Sequence, residues 1–189
     1  MVIATRVEAR VIADILPGKV AVWWFIASEI MLFGGLISSF VVFRVGGGGW
    51  AQEAAHLSVT IAAINTVVLL TSSFTMVQAF GAAQSGDERG ARRYLAFTVL
   101  LGIAFLVFKA VEYSREIHEG FLPSTGIFWS FYYTMTGLHA LHVVAGIIIN
   151  ALQMGGGRFR NAARLEAAGL YWHFVDVVWI FLFPLVYLS

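Results

Sequence analysis

Tyr171-Trp172-His173-Phe174-Val175-Asp176-Val177-Val178-Trp179 lies near the start of an apolar run that continues to Leu188. A histidine and a carboxylate stand three residues apart in a segment that otherwise reads as a membrane span. In hydrocarbon an ionisable side chain is costly, so the pair belongs on a protein-facing side, with a partner. That demands other spans around it.

The rest of the chain supplies them. Its 189 residues are 59% hydrophobic and 12% charged, with a mean hydropathy of +0.81, more apolar than a water-facing surface allows. Apolar runs occupy about residues 20–43, 57–80, 94–118, 127–152 and 167–188. Each reaches the ~20 residues that cross a bilayer as a helix. None alternates at period two, so strands are not expected. The expected fold is an all-α bundle of five transmembrane helices over residues 19–189, preceded by a tail at 1–18. Val7, Val11, Ile12 and Ile15 give that tail the spacing of a short interfacial helix, ended by Pro17-Gly18. The first run is too long for a signal peptide and is read as a retained span. Gly46 to Gly49, Gln84 to Arg93, Pro123 to Gly126 and Gly155 to Gly157 read as links, with Ser124 or Thr125 as the cap of the fourth helix. Gly34-Gly35, Gly137 and Gly146 are sites of close helix approach. Trp23-Trp24, Trp50, Trp129, Tyr132-Tyr133, Tyr171-Trp172 and Tyr187 read as an interfacial aromatic belt.

Charge sets the orientation. Nine basic residues fall on one side: Arg6, Arg10, Lys19, Arg89, Arg92, Arg93, Arg158, Arg160 and Arg164. Arg44 and Arg115 fall on the other, and Lys109 lies inside the third span. The positive-inside rule places the amino terminus in the cytoplasm and the carboxy terminus in the periplasm. The chain has no cysteine, which excludes disulfides, thiolate nucleophiles and cysteine-ligated metal. No basic patch points to a nucleic acid.

The ionisable residues inside the spans are the candidate functional set. Glu29, His142 and Asp176 are expected at similar depth, with His139 and His173 nearby. His139 and His142, at i and i+3, could hold one metal ion with His173 and Asp176; the plainer reading is hydrogen bonding between helices. A haem held between His142 and His173 is a weaker signal. Glu29 reads as a proton-handling group, a structural acceptor or a lipid-headgroup contact. Lys109 and Glu112 lie deep in the third span and read equally as a solvated helix end or an internal pair. Arg115, Glu116 and Glu119 read as solvated.

In this order the stretches Ser28-Glu29 with Phe33, Asn65-Thr66, Ser72-Ser73, Glu112-Tyr113, Thr136-Gly137-Leu138-His139-Ala140-Leu141-His142-Val143 and Tyr171 to Trp179 resemble subunit III of the haem–copper terminal oxidases, in a short five-helix bacterial form. The last two are the specific ones, and the likeness covers nearly all the chain after Gly18. The resemblance implies a multi-pass subunit of the bacterial inner membrane that carries no haem or copper itself. Those groups belong to partner subunits of a complex that takes electrons from cytochrome c or quinol, reduces oxygen and translocates protons. It implies packing on subunit I, bound phospholipid and support of proton uptake and catalytic lifetime. It implies for Glu29 the buried carboxylate of the first helix, for Glu112 the acid of the third, and for His139, His142, His173 and Asp176 a polar helix-packing set. Lys109 stands where many relatives have glutamine. Many members have seven helices; five are seen here. The accessory protein of a nitric oxide reductase shares these motifs, and a membrane metalloenzyme or a proton-coupled transporter built around Glu29 are readings of other classes.

Overall fold

The computed structural model describes the backbone of residues 2–47, 50–155 and 162–188, and the side chains of the same residues except 2–19 and 162. The elements are α1 (Val2–Gly46), α2 (Ala51–Ala54), α3 (Val59–Gln84), α4 (Glu88–His118), α5 (Ile127–Met154) and α6 (Ala162–Tyr187). Among the described residues five helices are long and apolar enough to cross a membrane: the Val20–Gly46 part of α1, and α3 to α6.

α3, α4, α5 and α6 form a ring in which each touches its two neighbours, and α1 lies outside it against α6 and α5. α6 is the central helix, with half of its apolar window buried against 17% for α1. Tryptophans from α6 sew it to α3: the Trp172 indole N–H donates to Ser72 Oγ (3.0 Å) and that of Trp179 to Thr66 Oγ1 (2.9 Å). Such bonds satisfy side-chain donors that lipid cannot. Two glycines make the slot for Trp172. A Cβ on Gly146 would come within 2.5 Å of the indole, and one on Gly102 within 2.8 Å.

Several boundaries differ from the sequence reading. The polar stretch from Gln84 to Arg93 is mostly helix, broken only at Ser85-Gly86-Asp87. Gly86 takes φ +79° there and Asp87 Oδ1 accepts from Gly90 N, a helix stop and a helix start side by side. The fourth membrane helix begins after Gly126 with no side-chain cap. Thr125 instead closes its own turn, accepting from Leu122 N and donating to Gly120 O. α1 continues through Pro17-Gly18; proline removes one ladder bond without having to end a helix. The expected interfacial face of Val7, Val11, Ile12 and Ile15 lies outside the described side chains, as do Gly48, Gly49, Gly156, Gly157, Arg158 and Arg160.

The aromatic belt is largely core. Trp23 and Trp24 are exposed, but Trp50, Trp129, Tyr132, Tyr171, Trp172 and Tyr187 are buried. At the α4–α5 loop end the short α2 presses Trp50 onto Phe40 and Phe128, with ring centroids 4.8 and 5.8 Å away. Aromatic side chains at span ends suit an interface, and equally suit a core whose ends must be plugged.

Candidate functional site

The first membrane helix meets the ring at Glu29. Its Oε2 lies 3.1 Å from His142 Nε2 on α5, and both side chains are about one-seventh exposed. The approach has ion-pair distance but is off-axis for a hydrogen bond. His142 Nδ1 is 2.8 Å from Leu138 O. A carbonyl only accepts, so Nδ1 carries a hydrogen and Nε2 is the nitrogen turned toward the carboxyl. Nε2 and Oε2 therefore face each other at ion-pair distance, a contact that attracts when the ring is protonated. Phe33 covers the imidazole edge-on at 5.4 Å, and the Tyr171 hydroxyl donates to His142 O (3.0 Å). Helices α1, α5 and α6 thus meet at this pair.

An apolar groove of about 520 Å³ lies between α1, α5 and α6 on the α3–α4 turn side of the pair. Val22 and Phe25 of α1, Ala145 and Ile149 of α5 and Ala168 of α6 line it, with Arg164 and Gln153 at the outer end. Phe25 and Tyr171, centroids 5.8 Å apart, close it one turn short of Glu29.

The other expected residues go elsewhere. His173 and Asp176 engage α3: Ser73 Oγ is 2.6 Å from His173 Nδ1, and the same hydroxyl adjoins the Asp176 carboxyl. Neither Asp176 oxygen has a well-formed hydrogen bond among the described residues. His139 is wholly buried between Phe105 and Trp179, at centroid distances of 5.5 and 5.2 Å, with both ring nitrogens unpartnered there. A single clasp of Glu29, His142, His173 and Asp176 is therefore replaced by two contacts, one on each side of α6. The four do not converge: among the described residues no three His, Cys, Asp or Glu side chains are grouped to hold a metal ion.

Toward the α4–α5 loop end lies a second polar centre. Lys109 Nζ donates to Glu112 Oε2 (3.1 Å), Tyr132 OH (3.2 Å) and Tyr187 OH (2.7 Å). Both phenols in turn donate to Glu112 Oε1, at 3.1 and 2.7 Å. Every ammonium hydrogen is used and both carboxylate oxygens accept. Lys109 and Glu112 are 3% and 2% exposed, so they form an internal pair joining α4, α5 and α6. Arg115 and Glu119 are exposed and paired at 2.9 Å. Glu116, expected with them in solvent, is 1% exposed, because it continues the i, i+4 inner face of Glu112. Sequence reasoning missed Tyr132 and Tyr187 as partners of Lys109. Tyr132 shares a helix face with Thr136 and His139, and that spacing was the available signal.

The sequence comparisons agree with one another. A match to the family described as Cytochrome c oxidase subunit III covers residues 16–189. The chain is 37% identical over 171 residues to cytochrome c oxidase subunit 3 of Corynebacterium diphtheriae, covering 86% of this chain and 83% of that one. It is 36% identical to cytochrome c oxidase subunit 3 of a Bacillus species (88% and 83% covered) and 35% identical to quinol oxidase subunit 3 of Bacillus subtilis (88% and 84% covered). With a family match over nearly the whole length, and five apolar helices to carry it, the chain belongs to the cytochrome c oxidase subunit III family.

Proposed function

We propose that this chain is the non-catalytic third subunit of an inner-membrane terminal oxidase, packed on subunit I, with its amino terminus in the cytoplasm. In this reading it holds a phospholipid in the α1/α5/α6 groove and supports proton uptake through Glu29 and His142. Haem and copper belong to the partner subunits; this chain carries neither. The observation that carries the reading is the placement of the Glu29–His142 pair one turn beyond the Phe25 and Tyr171 end of the apolar groove.

The chemistry is consistent. The two ionisable side chains face each other at a depth where hydrocarbon alone would exclude charge. An acyl chain satisfies the apolar walls, and Arg164 stands at the groove mouth where a phosphate would lie. The basic residues on the α3–α4 side support the cytoplasmic assignment of that end. Since relatives include oxidases named for cytochrome c and for quinol, the electron donor is a property of the partner subunits.

The test is purification of the whole complex through a tag on this chain, followed by Glu29→Gln and Glu29→Leu. Glutamine can still donate to His142 Nε2 but cannot exchange a proton. The expected result is a haem–copper catalytic subunit in the complex and a normal initial rate. Glu29→Gln then slows proton uptake and shortens activity under turnover, with the complex assembled as in wild type. If glutamine matches wild type and only leucine loosens assembly, Glu29 is a packing group. Recovery of a nitric oxide reductase subunit instead would reassign the complex.

A further inference from the structure

A second groove enters the bundle on the opposite side of α6. Glu166, Gly169, His173 and Asp176 recur at i, i+3, i+7 and i+10, which makes one stripe along the helix. The stripe faces α3. Met76 is the side chain that a Cβ on Gly169 would meet, at 3.5 Å, and Ser73 bonds His173. Between the two helices a groove of about 170 Å³ opens at the α3–α4 turn end, with Glu166, Gly169, His173, Met76 and Phe80 among its lining. That far exceeds the ~10–15 Å³ that one water needs; Val77, Leu165 and Leu170 complete its largely apolar wall, and Glu166 and His173 are the ionisable side chains on it. At the inner end of the stripe Asp176 is 3% exposed with both oxygens unpartnered among the described residues. A buried carboxyl with only the Ser73 hydroxyl beside it, and no well-formed hydrogen bond, is costly, and ordered water is the usual remedy.

We propose that this groove is a hydrated inlet. It admits water, and with it protons, from the α3–α4 turn end as far as Asp176, with the Ser73–His173 hydrogen bond as the last link. Gly169 keeps the inlet open, because a larger side chain there would fill it. The inlet adds a second proton-accessible group to the reading above and fails separately from it: lipid content and turnover lifetime read the α1 groove, hydration reads this one.

The experiment uses the assembled oxidase in native membranes and hydroxyl radicals made by radiolysis of bound water. Oxidation of each methionine of this chain is read by mass spectrometry. Met76 lines the inlet although it is buried; Met135 is buried in the core, and Met31 is exposed on α1. Met76 is expected to oxidise at least ~tenfold faster than either, since methionine oxidation follows access to the oxidant. Gly169→Ala should keep that rate, and Gly169→Leu should reduce it to the level of Met135. A wild-type Met76 that oxidises no faster than Met135 means a dry or lipid-filled groove and overturns the proposal. That arm uses the unaltered protein, so a variant that fails to fold does not protect the idea.

Discussion

Lys109 shows how a single residue can be costly and still secure in a span. Its three N–H donors meet three acceptors, and Glu112 receives three donors in return. Breaking such a pair leaves one buried charge without its counter-ion, which costs about 3–5 kcal/mol, whereas replacing both members by apolar groups is often close to neutral. Lys109→Met should therefore destabilise the isolated complex by that order, and Lys109→Met with Glu112→Leu should recover most of the loss. Thermal unfolding of the three variants against wild type measures it. A double variant no better than the single one would mean that the phenols, not the charges, hold the centre. The ionisable residues themselves were legible in the sequence, because charge stands out against 59% apolar composition. Their partners were not. Tyr132, Tyr187 and Ser73 come from helices far away in the chain, and a tyrosine near a span end looks the same whether it faces lipid or a buried ammonium.

At the scale of the helix, close packing is decided by which ring arrives opposite which glycine. Gly146 and Gly102 face Trp172, while Gly34 and Gly35 have nothing within 4 Å of an added Cβ. Sequence spacing marked Gly146, Gly34 and Gly35 alike and passed over Gly102, since a glycine announces room but not its occupant. Gly146→Ala forces the indole to move within a filled slot, and overpacking of this kind costs about 1–3 kcal/mol. Gly34→Ala should lie within about 0.5 kcal/mol of wild type, as surface changes do. Unfolding in detergent compares the two; equal effects would show that Trp172 has room to shift. Five helices and their order were readable because a span of hydrocarbon sets a minimum apolar length. Their ends were not, because helices such as α4 run on beyond the apolar run. The first turns at Glu88-Arg89-Gly90 and Arg92-Arg93 are polar, and hydropathy alone takes them for loop.

For the molecule as a whole, the consequence of ring plus outlier is that, among the described residues, α1 packs on the ring chiefly through α5 and α6, leaving open grooves on both flanks. One is the 520 Å³ groove below Glu29; the other, of about 310 Å³, lies between Phe33, Gly34 and Ile37 of α1 and Phe174 and Phe181 of α6. A helix so sparsely held depends on what fills those grooves, since within lipid no hydrophobic effect presses helices together and packing must do it. If a phospholipid chain fills the larger groove, it acts as packing between α1 and the ring, and it fixes the geometry of the Glu29–His142 contact. Narrowing that groove with Ala145→Leu and Ala167→Leu should then lower the phospholipid retained per purified complex. It should also shorten activity under turnover, with the first turnovers unaffected. Val111→Leu, exposed on α4 outside both grooves, serves as the control and should change neither. Lipid extraction with mass spectrometry measures the first effect and a prolonged oxygen-consumption trace the second. Retained lipid at the wild-type level in the narrowed variant would sink the idea and give the groove to a helix of a neighbouring subunit. Lost lipid with normal lifetime would separate binding from function and leave the Glu29–His142 contact to be held by the protein alone.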